Sequence, residues 1–359
     1  MRIIEVSSSS AHDRGRQYGR AAADLIGAAI EYYGQAFEHQ TGRTWAEILE
    51  LSEPWERLIS RDYPELYDEI RGIADGAGVA TREIVVLNCR GEIVYDADSF
   101  TAAPDGCTSY SLQAADGHVF TGQNWDWRHR TRDTVVVLRI VQPPKPTIIM
   151  QAEAGQIGRH GANDRGFALN ANGLGGRFDD SVGVPQSIIR RLVLDSATIS
   201  GAIKVLCQTR AHIASNALLT DRSGYSIDLE TTPGAVGWQY PNDGLLVHGN
   251  HYQAFVPPQL AANHRPMSPD SLLRVPRAQQ GLREAQTATD VRKAIRSAMS
   301  DHLGQPDSLC AHPDDRLHPL RQWSTLLSSC VDLTTGEYYV TPGTPCEHDY
   351  ELVPFNLYD

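Results

Sequence analysis

The chain has 359 residues, 41% hydrophobic and 21% charged, with a formal net charge of −12. That length and balance suit a soluble globular protein of one large domain or two ordinary ones. An acidic surface with no run of lysine or arginine repels phosphate backbones, so nucleic acid is not an expected partner.

The opening MRIIEVSSSSAHDRGRQYG holds no apolar core of signal-peptide length, and no stretch is long and apolar enough to span a bilayer. The closing NLYD carries no addressing tripeptide, so the expectation is a cytoplasmic protein with no membrane partner. The first hundred residues read as mostly helical. Residues 14–37 place Ala, Ile, Leu and Tyr at helical spacing, and residues 64–77 start on Pro64 and close on Gly76 and Gly78. Residues 83–95 contain the apolar run Ile84-Val85-Val86-Leu87, which fits a helix or a buried strand equally well.

The texture then changes. Residues 99–106 form a loop of small and turn-forming residues that includes Pro104, Asp105 and Gly106. Short strands follow at 108–112, 119–127, 134–141 and 147–151. Helices are expected at 186–194 and 199–208, strands at 216–221, 225–230 and 245–248, and helix over 269–300. A hairpin at 324–333 and 338–341, turning on Thr335-Gly336, closes the chain. Strands in two clusters with helices between them suggest layered sheets covered by helices.

Six cysteines are scattered without a CxxC pair: Cys89, Cys107, Cys207, Cys310, Cys330 and Cys346. Cys310-Ala311-His312 comes nearest to a metal cluster but lacks a matching second pair, so no metal is expected. Most of these cysteines should be buried small hydrophobes.

The most informative segment is DGCTSYSLQAADGHVFTGQNWDW, residues 105–127. Asp116-Gly117 signals a two-residue hairpin loop. That register sets Ala115 opposite His118, Tyr110 opposite Gln123 and Cys107 opposite Asp126. One face then carries Thr108, Tyr110, Leu112 and Ala114 with Trp125, Thr121 and Val119. The other carries Cys107, Ser109 and Ser111 with Asp126, Asn124 and Gly122. A thiol and a carboxylate as cross-strand neighbours, beside hydroxyls and an amide, suggest a site, although a solvated polar face is the common alternative.

Gly106-Cys107 has the composition of a self-cleaving bond. Glycine tolerates strained backbone and leaves its carbonyl open to attack by the Cys107 thiol. Hydrolysis of the resulting thioester would free the Cys107 α-amine. Its ordinary pKa of roughly 7.7–8.0 suits a general base acting on its own thiol. Two other readings stay open: an uncleaved papain-like cysteine hydrolase with His248 or His251 as base, and a non-catalytic binding protein. With no CxxC pair around Cys107, a redox role is not expected.

The chain resembles the penicillin acyltransferase family (acyl-coenzyme A:isopenicillin N acyltransferase and its bacterial relatives), autoproteolytic members of the N-terminal nucleophile hydrolases. The matching pieces run in order through residues 14–19, 72–79, 87–92, 105–109, 122–127, 163–166, 172–174 and 183–185 with Arg190. They continue through 228–233, 248–251, 332–337 and 342–346. The resemblance implies an α+β fold, a four-layer αββα sandwich with two antiparallel sheets. It implies fragments 1–106, mostly helical, and 107–359 that stay associated as a heterodimer. It implies Cys107 as nucleophile, Asp126 as the residue orienting nucleophile and amine, and Asn250 as oxyanion donor. Ser109, Asn124, Asn172 and His251 are further oxyanion or substrate contacts, Asn172 being as readily a turn former. The implied partners are a small N-acyl substrate, or an acyl donor and an amine acceptor. No cofactor is needed, acyl-coenzyme A being admissible as co-substrate. One departure stands out: relatives often carry an arginine where this chain has Ala311, and Arg316 or Arg321 would have to replace it if that charge is needed.

Overall fold

The computed structural model describes residues 1–96, 106–176, 178, 181–262 and 264–359. The loop expected at 99–106 lies, but for Gly106, outside the described residues. In chain order the elements are β1 (Arg2–Ser7), α1 (Ala11–Ala21), α2 (Ala23–Thr41), α3 (Trp45–Leu51), α4 (Glu53–Asp62), α5 (Pro64–Ala77) and α6 (Thr81–Asp96). Next come β2 (Thr108–Gln113), β3 (Val119–Arg128), β4 (Val135–Val141), β5 (Ile148–Glu153), β6 (His160–Asn163), β7 (Phe167–Asn170), α7 (Gln186–Leu194) and α8 (Ile199–Gln208). The remainder is β8 (Ser215–Asp221), β9 (Ser226–Thr231), β10 (Val236–Gln239), β11 (Leu245–His248), α9 (Ser271–Ala285), α10 (Val291–Met299), β12 (Trp323–Asp332), β13 (Glu337–Val340) and β14 (Glu351–Asn356).

The strands form two sheets with helices beside them, and the fold class is the expected α+β. Strand β1 runs parallel to β4, from Arg2 opposite Val136 to Ser7 opposite Val141, whereas the other described pairings, such as β2 with β3 and β8 with β9, are antiparallel. A parallel pair needs a long crossover, here everything from α1 to β3.

Two compact units divide the chain. The first comprises residues 1–101, 133–163 and 177–213, and the second 102–132, 164–176 and 214–359. In the first unit the strand order is β1-β4-β5-β6. Helices α1 and α5 meet there through glycines at fourfold spacing. A methyl group at Gly15 would lie 2.1 Å from the Glu69 carbonyl oxygen, and one at Gly72 would lie 2.1 Å from that of His12. The segments 14–19 and 72–79 therefore serve helix packing. Gly15→Ala is expected to destabilise the protein by about 1–3 kcal/mol or more, read as a lowered denaturant midpoint, because two backbones must move apart.

Beside that contact, buried Arg14 and Arg191 both bind Glu69, at 2.9 and 2.7 Å. Arg90 binds Glu153 and donates to the Tyr33 hydroxyl at 2.7 Å, and Tyr33 in turn donates to Glu153 at 2.6 Å. The ambiguous run at 84–87 is helical. Its four side chains are all buried, which removes the alternation that would mark a helix face.

In the second unit the six-stranded sheet has the order β11-β2-β3-β12-β13-β14. Helices α9 and α10 cover one face. Val275, Ala278, Leu282, Ile295 and Met299 pack there against Tyr110, Leu112 and Phe120. The other face meets strands β7 to β9. Thr121 Oγ1 accepts from Asn170 at 2.9 Å, and Gln123 Oε1 accepts from the Ala171 N–H at 3.1 Å.

The hairpin register differs from expectation by one residue. Tyr110 pairs with Gly122, Ser109 with Gln123 and Thr108 with Asn124. The loop is three residues long, Ala115 to Gly117. Ala114 donates to His118 O at 2.9 Å, and Gly117 takes the left-handed conformation at φ 92°. Asp116 does not pair with a partner strand; its carboxylate accepts from the His118 N–H at 3.0 Å. Ser109 and Ser111 therefore share their face with Gln123 and Thr121, while Asn124 and Gly122 lie on the helix-covered face.

Candidate active site

Cys107 stands just before β2 and is wholly buried. Continuing the observed register sets Gly106, rather than Cys107, opposite Asp126. The packing agrees: a methyl group at Gly106 would lie 3.0 Å from both Cβ and Oδ2 of Asp126. The Cys107 thiol donates to the Asp126 backbone carbonyl at 3.6 Å. The expected side-chain pair of Cys107 and Asp126 thus becomes a pairing of the Asp126 carboxylate with Gly106. Thr325 on β12 fixes that carboxylate by donating to Oδ1 at 2.6 Å, and its own oxygen accepts from the Ala311 N–H at 3.0 Å.

Arg274 ties the site together. It is 1% exposed and comes from α9, where Ser271, Arg274, Val275, Ala278, Leu282 and Ala285 form the buried stripe. One nitrogen donates to the Cys107 carbonyl and to Thr108 Oγ1, both at 2.8 Å. The second donates to Asn250 Oδ1 at 2.9 Å, and Nε donates to Asp270 at 2.6 Å. A guanidinium only donates and a carbonyl only accepts. The Asn250 amide is therefore oriented by chemistry, with Oδ1 toward Arg274 and Nδ2 toward the Gly173 carbonyl at 2.9 Å. The Asn250 N–H donates to Ser271 Oγ at 2.7 Å, which also bonds His251 Nδ1 at 2.7 Å. Sequence reasoning missed Arg274 and Thr325. The available signal for Arg274 was a charge on the apolar stripe of a helix.

The other candidates separate. Asn172 donates to Ser109 Oγ at 3.0 Å and to the His248 carbonyl at 3.1 Å, so these two residues are neighbours on the face opposite the helices. Asn124 is not with them. Its amide donates to the Met299 and Leu309 carbonyls at 2.8 and 2.9 Å, which is a bracing role on the helix side. Arg316 is exposed and held by Asp314 at 2.8 Å, and Arg321 is also exposed. Arg274 is the buried arginine of this site.

The histidines are poorly suited to act as bases. His248 is buried, with Nδ1 against Gly249 O at 2.9 Å and Nε2 against Glu230 at 3.0 Å. Burial opposes its protonation, but Asp228 and Glu230 outweigh that and hold its pKa above the ordinary value. Burial, with His248 and Arg274 nearby, lowers His251 to about 4. Burial lifts Asp228 to about 6 against the pull of His248.

A family model described as acyl-coenzyme A:6-aminopenicillanic acid acyl-transferase matches residues 113–345, more than half of the chain. The chain belongs to this family. Among curated relatives, the acyl-coenzyme A:6-aminopenicillanic-acid-acyltransferase 40 kDa form of Emericella nidulans is 34% identical over 238 residues. The match spans 66% of this chain and 66% of the relative's own length. Two solved structures are more distant. A conjugated bile acid hydrolase variant from Clostridium perfringens is 15% identical with a TM-score of 0.48, covering 70% of this chain and 94% of that one. Penicillin V acylase from Agrobacterium tumefaciens is 18% identical with a TM-score of 0.40, covering 66% of this chain and 82% of that one.

Proposed function

We propose that this chain is an autoproteolytic cysteine N-terminal nucleophile amidohydrolase or acyltransferase. It acts on a small N-acyl substrate after cutting itself between Gly106 and Cys107. The observation that carries the reading is the Asp126 carboxylate lying against Gly106, at the bond whose scission would leave the Cys107 amine. In self-cleavage the Cys107 sulfur attacks the Gly106 carbonyl carbon, the C–N bond breaks, and the nitrogen takes up the thiol proton. Water then hydrolyses the thioester, leaving a Gly106 carboxylate and a Cys107 bearing thiol and α-amine.

In turnover the amine, oriented by Asp126, accepts the thiol proton, and sulfur attacks the substrate carbonyl. Asn250 Nδ2, aimed by Arg274, is the side-chain donor to the developing oxyanion. The intermediate collapses, the substrate's C–N bond breaks and its amine leaves with the proton held by the Cys107 α-amine, and water or a second amine then takes the acyl group from the thioester and frees the thiol. Family membership supports acyl chemistry, and acyl-coenzyme A would serve as one acyl donor. Fragments 1–106 and 107–359 would stay together, because β1 is bonded along β4 and α1 to α6 share the first unit with residues 133–163 and 177–213.

A papain-like mechanism is disfavoured: both His248 nitrogens are engaged, and a base near pKa 4 is weak at neutral pH. Masses and N-terminal sequences of the denatured protein test the proposal. Two chains, the larger beginning Cys-Thr-Ser-Tyr, are expected, whereas one uncut chain without thioester formation would leave a binding protein. Asp126→Asn is expected to lower turnover about 10²-fold or more while shifting the unfolding midpoint little. Normal turnover in the folded variant would remove Asp126 from the mechanism.

A further inference from the structure

We propose that His302, Cys310, His312 and Cys346 form a tetrahedral site for one divalent ion of the zinc class. The expectation of no metal rested on Cys310-Ala311-His312 lacking a second pair. Folding supplies that pair. Cys346, in the loop after β13, comes 36 residues after Cys310, and His302, just past α10, comes ten before His312. Neither spacing resembles a recognised metal motif, so the site is visible only in three dimensions.

The geometry is that of a coordination shell. The two sulfurs are 3.5 Å apart and the two imidazole Nε2 atoms 3.2 Å apart. Nε2 of His312 lies 3.3 Å from Cys346 Sγ and 3.8 Å from Cys310 Sγ. All four donor atoms lie within 4.8 Å of one another. Zinc bonds of about 2.3 Å to sulfur and about 2.0–2.1 Å to nitrogen imply tetrahedral edges of about 3.8 Å for S···S, 3.5 Å for S···N and 3.3 Å for N···N. The separations within Cys310, His312 and Cys346, and that between His302 and His312, lie within about 0.3 Å of this pattern; His302 completes the set with all donor atoms inside 4.8 Å of one another.

Two thiolates and two imidazoles select a borderline-soft cation over magnesium or calcium. Four protein ligands make a closed site, which is the structural kind. Cys310 is buried, His312 and Cys346 are half-buried, and His302 is exposed, so an ion has a route in from solvent.

The surroundings hold the ligands in place. Ser308 Oγ donates to the Cys310 carbonyl at 2.7 Å, and the Cys310 N–H donates to Asp301 O, beside His302, at 3.0 Å. Between the two inner ligands, Ala311 exchanges backbone and side-chain bonds with Thr325, the residue that fixes Asp126. An ion here would pin the 302–312 segment and the 342–346 segment next to that strand.

The test uses the full chain, without a polyhistidine tag, produced in zinc-supplemented medium. Elemental analysis should find about one zinc per chain. After chelation, refilling with Co²⁺ should produce a thiolate-to-cobalt charge-transfer band and intense visible bands. Cys310→Ser combined with Cys346→Ser should abolish both the band and the zinc. His302→Ala, at an exposed position, should fold and bind zinc about tenfold or more weakly, keeping the test decisive if the double variant does not fold. Zinc below about 0.1 per chain with no cobalt–thiolate band would overturn the site. So would a Cys310–Cys346 disulfide in place of bound metal, or unchanged zinc affinity in His302→Ala.

Discussion

Cys107→Ala should give a single uncut chain with no detectable turnover. The substitution removes one sulfur from a fully buried position, at a folding cost of about 1 kcal/mol. On the proposed mechanism the chemistry loses its nucleophile twice, once for the Gly106–Cys107 bond and once for the substrate. Loss of an enzyme nucleophile lowers turnover by about 10⁴-fold or more. Intact mass after denaturation reads the cleavage, circular dichroism reads the fold, and product release from an N-acyl substrate reads turnover. Two fragments from the variant, or retained turnover, would sink the mechanism. A folded and inactive Cys107→Ala chain would also hold substrate without consuming it, and so serve to identify the ligand.

Arg274→Ala should be the second most damaging change, through a different route. The guanidinium contacts Cys107, Thr108, Asn250 and Asp270 from a buried position. Its loss strips the Cys107 carbonyl and the Asn250 amide oxygen of a charged donor inside the protein. Removing one partner from such a network costs about 3–5 kcal/mol. Arg274→Lys should not rescue it, because a single ammonium cannot reproduce the planar fork. On the proposed mechanism Arg274 acts through Asn250 and the backbone of Cys107, which makes it a positioning residue. At a temperature where both proteins are folded, kcat should fall about 10²-fold with KM changed little. An unchanged kcat in the folded variant would reduce Arg274 to a stability role.

Local patterns carried part of this fold. Helices α5, α7 and α8 fall on the residues their sequence marks, since Pro64 opens one and apolar periodicity defines the others. Strands β6, β7 and β10 are four residues long, too short to display alternation, and β1 was missed beside a helix. Helices α3 and α4 also escaped notice, although Thr44 and Glu47 form a capping box. The register error came from turn chemistry. An Asp-Gly pair fits a two-residue loop, but the same glycine serves equally well as the left-handed third residue of a longer one. The nearness of Cys107 to Asp126 was legible because the hairpin is local, although it is Gly106 that faces the carboxylate. The Arg274 contact spans 167 residues and the Thr325 contact 199, and no local pattern encodes such separations. The His302–Cys346 cluster was hidden for the same reason.

The central position of β12 also orders events in time. It lies between β3 and β13, and supplies the hydroxyl that fixes Asp126. A ribosome that has completed β3 must still add almost two hundred residues before that hydroxyl exists. Pairing across such a separation comes late in folding, because the loop must close first. The N-terminal helices and the sulfur of Cys107 are therefore made long before the carboxylate beside Gly106 is fixed. On the proposed mechanism, synthesis itself acts as a timer: translation interrupted before β12 would leave an inert precursor, and only a chain extended past Thr325 would be competent to mature.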